Sequence, residues 1–185
     1  VGLGAHNWHP MSYNPMTGLM YIPAQHIGGE LKQESDYKRL PRHWNTGVDT
    51  SVDMHNAALS QTLLKTFVEG YLLAWDPIKQ QVAWTAEHKT IGNGGTLSTA
   101  GELVFQGTVD GLFKAYNAIN GQELWRFNSQ NGIVGSPVSY GVDGKQFVSV
   151  PAGRGGGLSQ IIGIQHEVTN VNGRILAFTL SGSES

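Results

Sequence analysis

The sequence lacks several features that would assign a protein to a class at once. It contains no cysteine, which excludes a disulfide framework, a thiolate metal site and c-type haem attachment within these residues. Charged residues make up only 14% of the chain, and the net charge of −2 gives no electrostatic basis for binding nucleic acid or an anionic membrane surface. No apolar run approaches the ~20 residues that span a bilayer.

What is present indicates many short strands joined by tight turns. Hydrophobic residues make up 39% of the chain and there are 25 glycines, a composition that suits an all-β protein. Short apolar runs alternate with groups of Gly, Asn, Asp and Pro, and helical periodicity is scarce. The predicted strands are Met11–Tyr13, Leu19–Pro23, Tyr71–Trp75, Gln81–Thr85, Leu103–Gln106, Leu112–Tyr116, Glu123–Phe127, Val134–Tyr140, Gln146–Val150 and Arg174–Leu180.

An internal repeat organises these strands. The segment GYLLAWDPIKQQVAW begins at Gly70, and GLFKAYNAINGQELW begins 41 residues later at Gly111. A period near 40 residues with about four strands per repeat is the signature of β-propeller blades. One blade cannot bury both of its faces, whereas blades stacked around a centre can.

One region departs from this pattern. Residues 28–56 are polar, mixed in charge and without alternation, which predicts a long loop between strands. The loop is either functional or a solvated insertion without a role. A weak helical pattern from Met54 to Phe67 predicts one or two helical turns or more of the same loop.

The repeat resembles the tryptophan-docking motif of dehydrogenases that use pyrroloquinoline quinone (PQQ). In that family an Asp caps the turn, a Gly completes it, and a Trp eight residues after the Asp packs on the next blade. Asp76 and Trp84 match in the first copy, where Gln80 replaces the Gly. Gly121 and Trp125 match in the second copy, where Asn117 replaces the Asp and can still accept the turn hydrogen bond. The resemblance implies about four blades of an eight-bladed propeller over residues 1–182, followed by a tail or linker at 183–185.

Three segments resemble the alcohol-dehydrogenase branch of that family and imply the cofactor-binding residues. The resemblance assigns Asn7 and Trp8 to the quinone, as an amide donor and an indole donor or flat face. It assigns Asn93 and Gly94, with the backbone amides of Gly94 and Gly95, to the same cofactor. The third segment is a glycine-rich turn, Gly153 to Gly157, in which Arg154 stands where the family usually has Trp. Its guanidinium can stack on a ring or pair with a PQQ carboxylate.

The same resemblance implies what this chain does not contain. The family oxidises alcohols with an Asp general base and a Ca²⁺ ion that polarises the quinone, and these residues precede Val1 in the family's order. We therefore expect no catalytic residue and no metal ligand here, and we expect the chain to be part of a longer periplasmic protein. Its expected partners are a small primary alcohol and an electron acceptor, either cytochrome c or a quinone. A haem c domain follows the propeller in some relatives.

Two other functions fit parts of the pattern. A non-enzymatic propeller, such as a periplasmic scaffold, would share the repeat and the docking Trp, but would have no reason to bring Asn7, Asn93 and Gly153 to one rim. A sugar dehydrogenase of the same cofactor class would share the rim as well. The run LSTAGELVFQGT from Leu97 resembles the alcohol branch more closely.

Overall fold

The computed structural model describes residues 4–27, 32–42, 45–49, 68–155 and 172–179. Within them the regular structure consists of eleven strands. In chain order they are β1 Ser12–Asn14, β2 Leu19–Ile27, β3 Val68–Asp76, β4 Gln81–His88, β5 Thr96–Ser98, β6 Leu103–Gly107, β7 Leu112–Asn117, β8 Glu123–Asn128, β9 Val138–Val142, β10 Lys145–Ala152 and β11 Arg174–Thr179.

The strands form three antiparallel sheets that follow one another along the chain. The first sheet has the order β1-β2-β3-β4, the second β5-β6-β7-β8, and the third, with three strands, β11-β10-β9. This meander confirms the all-β prediction and the four-stranded repeat. The described residues account for three of the predicted four or so blades.

The first two sheets pack face to face on an apolar cluster. Leu72 and Ala74 of β3 and Val104 of β6 are fully buried there, because alternate residues of each strand point to the same face. Tyr21 is also buried, and its hydroxyl donates to the carbonyl of Ala118 at 2.9 Å. Burial of several such side chains stabilises the contact between the two sheets by about 1.5–3 kcal/mol each.

The predicted docking of Trp84 is confirmed. Its indole Nε1 donates to the carbonyl of Ala118 at 3.0 Å, and a Cβ on Gly121 would lie 2.5 Å from the indole ring. The side chain of β4 thus rests on the β7–β8 turn of the next sheet. Trp125, the second copy, lies in an aromatic group with Phe113 and Phe178, and 40% of its surface is exposed.

Two strand predictions need correction. The predicted strand Val134–Tyr140 starts instead at Val138, because the chain before it is held by loops. Ile133 donates its N–H to Thr108 O at 2.9 Å, and Pro137 has no N–H for a ladder. The segment before Leu103, in which no strand was predicted, contains the short strand Thr96–Ser98 paired to β6.

The described part of the 28–56 region is loop-like, as expected. Its only bridge among the described residues joins Gln33 and Val48, and a surface ion pair of 3.4 Å joins Lys32 and Asp49. The helical prediction for Met54 to Phe67 lies outside the described residues.

Candidate functional site

Each sheet has two ends, and the alternating direction of the strands decides which connecting segments lie at which end. The tight turns at 14–18, 76–80 and 117–121 lie at one end, which we call the turn end. The segments that precede β1, β5 and β9, and those that follow β2, β6 and β10, lie at the other end, which we call the rim. All six residues predicted to contact the cofactor belong to the rim.

The segment before β1 presents an aromatic face to solvent. Trp8 is 67% exposed, and its ring stacks on His9 with 4.1 Å between the ring centroids. Asn7 is exposed beside it and accepts the N–H of Trp8 through Oδ1 at 2.9 Å. His9 is buried, and burial, aided by the nearby His6, lowers its pKa to about 4. A neutral ring therefore supports Trp8 at neutral pH.

Gln25, at the end of β2, attaches this segment to the neighbouring loop. Its N–H donates to Ala5 O at 2.9 Å and its Nε2 donates to Gly4 O at 3.1 Å. Its Oε1 accepts the N–H of Gly92 at 3.1 Å. This buried glutamine joins the chain before Trp8 to the chain before Asn93, and the sequence analysis did not identify it. A single Gln in a strand carries no sequence signal for that role.

Asn93 is a framework residue of the rim, with its polar groups directed inward. It is 4% exposed, and its Oδ1 accepts from Thr90 Oγ1 at 2.7 Å and from the N–H of Val109 at 3.1 Å. Its Nδ2 donates to Thr90 O at 2.5 Å. The amide therefore fixes the loop before β5 to the β6–β7 loop.

Gly94 and Gly95 allow three chain segments to approach closely. The N–H of Gly94 donates to Gly107 O at 2.9 Å, so in this structure the amide belongs to the framework of the rim. A Cβ on Gly94 would lie 2.9 Å from Gly135 O, and one on Gly95 would lie 2.9 Å from Pro10. Their lack of a side chain is required by packing between the sheets.

The glycine-rich turn after β10 continues the same rim. Gly153 donates its N–H to Gly132 O at 2.8 Å, so this amide also serves the framework. Arg154 follows with an exposed side chain, and Gly155 has a φ of +77°, which favours glycine. Gly156 and Gly157 lie outside the described residues.

These contacts form a continuous chain from Trp8 to Arg154. Pro10 O accepts the N–H of Thr96 at 2.9 Å, which places the Trp8 segment beside the loop that holds Asn93. Asn93 contacts Val109, and a Cβ on Gly132 would lie 2.8 Å from Val109 O. The structure thus brings the six predicted residues to one end of the sheets. It exposes Asn7, Trp8 and Arg154, and it buries Asn93 and Gly94.

A second buried polar group braces the rim and was also missed. Asn131 is fully buried, and its Nδ2 donates to Asn172 O at 2.7 Å. Arg174 donates from its guanidinium to Ser129 O and, at 3.3 Å, to Asn131 Oδ1. Charge-assisted bonds of this kind are among the stronger ones. They hold the loop before β9 against the start of β11.

The described residues contain no group of three or more His, Cys, Asp and Glu side chains placed to hold a metal ion. In the same residues, no helix is long and apolar enough to cross a membrane.

Known protein families provide an independent comparison. Residues 70–148 match the PQQ family described as the β-propeller domain of glucose, ethanol and alcohol dehydrogenases. This match covers the Trp84 and Trp125 repeat, the whole second sheet and, in the third sheet, β9 and the first half of β10.

Individual relatives extend the comparison over nearly the whole chain. Quinohemoprotein alcohol dehydrogenase ADH IIB of Pseudomonas putida is 43% identical over 97% of the chain. The dehydrogenase subunit of alcohol dehydrogenase (quinone) from Acetobacter aceti is 44% identical over 83%. The solved structure of quinohemoprotein alcohol dehydrogenase ADHIIG from P. putida superposes with a TM-score of 0.87 at 39% identity, over 99% of the chain. The chain spans 25%, 21% and 27% of these three proteins, respectively.

The fold and the family match define the class as a PQQ-type β-propeller. Within that class, the chain belongs to the propeller domain of the PQQ-dependent alcohol dehydrogenases, of which it is a part.

The exposed rim residues fit the chemistry of PQQ. The cofactor is flat and carries three carboxylates, so its site needs aromatic faces and cationic or N–H donors. Trp8 supplies an exposed ring, Arg154 a guanidinium and Asn7 a side-chain amide. Asn93 and Gly94 fit a supporting role, because their polar groups already bond to the protein.

Proposed function

We propose that the complete protein containing this chain is a quinoprotein dehydrogenase that oxidises primary alcohols to aldehydes. The observation that carries the proposal is the convergence of Trp8, Asn7 and Arg154 on one rim, in a chain from the alcohol-dehydrogenase family. PQQ, when bound, supplies a quinone that accepts hydride from the alcohol carbon. The hydroxyl proton goes to a base, which this chain is not proposed to provide.

This chain's own residues bind and orient the cofactor in the proposal. The ring of Trp8 lies against the flat cofactor, and burial of that exposed face removes apolar surface from water. Arg154 pairs with a carboxylate, and Asn7 donates from its amide. Asn93, Gly94 and Gly153 hold the rim loops in place. The residues that contact the cofactor are therefore already positioned before it binds.

The remaining assignments belong to the complete protein. We propose a Ca²⁺ ion held by residues outside this chain, and an electron acceptor that is cytochrome c or a quinone. A haem c domain, a periplasmic location and a small primary alcohol as substrate complete the proposal. A scaffold role is not favoured, because it gives no reason for an exposed tryptophan at the same rim as Asn7 and Arg154.

A cofactor-binding measurement on the complete protein tests this proposal. The protein is purified without PQQ, and PQQ is titrated in the presence of Ca²⁺ while ethanol oxidation is followed with an artificial electron acceptor. We expect Trp8→Ala combined with Asn7→Ala to raise the PQQ concentration needed for half-maximal activity at least tenfold. A loss of about 1.4 kcal/mol of binding energy corresponds to that change.

Ile78→Ala is the matched control, because Ile78 is 89% exposed and lies at the turn end. It should leave the PQQ titration unchanged. Unaltered PQQ binding in the Trp8 and Asn7 double variant would contradict the assignment of this rim. Oxidation of aldoses in preference to primary alcohols would instead move the protein to the sugar dehydrogenases.

A further inference from the structure

The interface between the first and second sheets contains polar side chains next to its apolar cluster. His88 of β4 faces Gln106 of β6, and Tyr116 of β7 lies beside them with 6.3 Å between its ring centroid and that of His88. Gln106 is fully buried and Tyr116 is 2% exposed. Polar groups at such a place need hydrogen-bond partners, because an unpaired buried polar group costs free energy.

The hydrogen bonds of Gln106 fix its orientation. Its Nε2 donates to Gly94 O at 3.0 Å, and a carbonyl oxygen can only accept, so the amide nitrogen must face Gly94. The amide oxygen therefore faces His88, whose Nε2 lies 2.8 Å away. This contact is a hydrogen bond only if His88 carries its proton on Nε2.

The orientation of Gln106 thereby determines the state of the histidine. Burial is the main cause that lowers the pKa of His88 to about 4, so the ring is neutral at neutral pH. A neutral ring with its proton on Nε2 has a bare lone pair on Nδ1. Nδ1 is therefore a buried hydrogen-bond acceptor.

Two buried polar atoms remain without partners among the described residues. They are His88 Nδ1 and the hydroxyl of Tyr116. The first is an acceptor and the second is a donor that can also accept. A water molecule can donate to a bare lone pair such as that of Nδ1 and can accept from a hydroxyl, and buried waters are usually found between otherwise unsatisfied polar groups.

We propose that a single structural water binds between His88 Nδ1 and the Tyr116 hydroxyl, at the junction of the first two sheets. The water completes a line of hydrogen bonds that runs from Tyr116 through His88 and Gln106 to Gly94 at the rim. This site is independent of the proposed cofactor function, because every group in it belongs to the framework of the propeller.

A crystal structure of the complete protein, at a resolution that places ordered water, tests the site directly. We expect a density peak within hydrogen-bond distance of both His88 Nδ1 and Tyr116 Oη. A direct hydrogen bond between the two side chains, or a dry gap between them, would overturn the proposal.

The variant Tyr116→Phe adds a test by the sign of its effect. If the hydroxyl has no partner, removing it relieves a buried polar group and raises the melting temperature. If a water binds it, the variant loses a hydrogen bond, lowers the melting temperature and loses the density peak. We expect the second result. Tyr13→Phe is the control, because Tyr13 is 54% exposed and its variant should melt as the parent does. A raised or unchanged melting temperature for Tyr116→Phe would refute the water site.

Discussion

The turns at 76–80 and 117–121 have nearly the same backbone and different surroundings. In the first, Asp76 Oδ1 accepts the N–H groups of Ile78 and Lys79 at 3.0 and 2.9 Å. In the second, Asn117 Oδ1 accepts the equivalent two N–H groups at 2.8 and 3.2 Å. In both cases the two strands that the turn connects show a register shift close to it, after Ala74 and after Ala115.

The last residue of each turn separates a requirement on the backbone from a requirement on packing. Gln80 has a φ of +54° and Gly121 has a φ of +75°, so the turn needs a left-handed residue in both places. A glutamine meets that need, at some strain. Only Gly121 lies under the indole of Trp84, where a Cβ would be 2.5 Å from the ring. The turn therefore requires a left-handed backbone at both Gln80 and Gly121. Packing against the Trp84 indole additionally requires that position 121 has no side chain.

The largest effect should come from Gly121→Ala. The new methyl group forces Trp84 off the turn, which lengthens its hydrogen bond to Ala118 O and opens the first junction. Overpacking of 1–3 kcal/mol adds to the strain of a left-handed alanine, so we expect a loss of about 3 kcal/mol. Chemical unfolding of the complete protein, followed by the fluorescence of its tryptophans, measures the loss.

Gly144→Ala separates the two contributions to that loss. Gly144 has the same φ of +75°, but nothing lies within 4 Å of the position of its Cβ. This variant should lose only the conformational part, about 1 kcal/mol. If the two variants lose equal free energy of unfolding, the docking of Trp84 does not require a glycine at position 121.

Much of this junction could be predicted from the sequence, because the repeat is local. The spacing of Asp76 to Trp84 and of Asn117 to Trp125 indicated the turns, the flanking strands and the docking side chains. The strand Thr96–Ser98 was missed because it has only three residues and its pairing depends on β6. The start of β9 was placed too early because Ile133 is held by Thr108, a contact that no local pattern reveals.

The rim was predictable in place but less so in role. Asn7, Trp8, Asn93, Gly94, Gly153 and Arg154 were chosen by family resemblance, and they meet at one end of the sheets. The sequence could not distinguish exposed Trp8 from buried Asn93, since burial depends on which loops cross above each residue. Gln25 and Asn131 were invisible for the same reason: their bonds join segments that are distant in the chain.

A smaller effect of opposite sign is expected from Gln80→Gly. The substitution gives the first turn the residue that the second already has, and it removes the strain of a left-handed glutamine. Greater freedom of the unfolded chain offsets part of the gain, which leaves a net stabilisation of about 0.5–1 kcal/mol. Gln81→Gly makes the same change one residue later, inside β4, and should destabilise instead. Urea unfolding of both variants checks the sign, and a loss from Gln80→Gly would show that this glutamine makes a contact that outweighs its strain.

The smallest effect separates the two capping residues, because Asp76 titrates and Asn117 does not. The backbone N–H of Lys79 is the main cause that lowers the pKa of Asp76, and the side chain of Lys79, 3.3 Å away, assists. Because the pKa of this carboxyl group is lower in the folded state, the unfolded chain takes up the proton at a higher pH than the folded protein does. Its contribution to stability is thus present above the ordinary pKa of 3.8 and is lost as the pH falls through the folded value.

We expect Asp76→Asn to melt close to the parent near pH 7, because Asn117 forms the same turn with an amide. Below about pH 4 the variant should lose less stability than the parent, and added salt should narrow the gap by screening Lys79. If the melting temperatures of the two proteins fall by equal amounts down to about pH 2, the Asp76 carboxylate has no more favourable environment in the turn than in the unfolded chain.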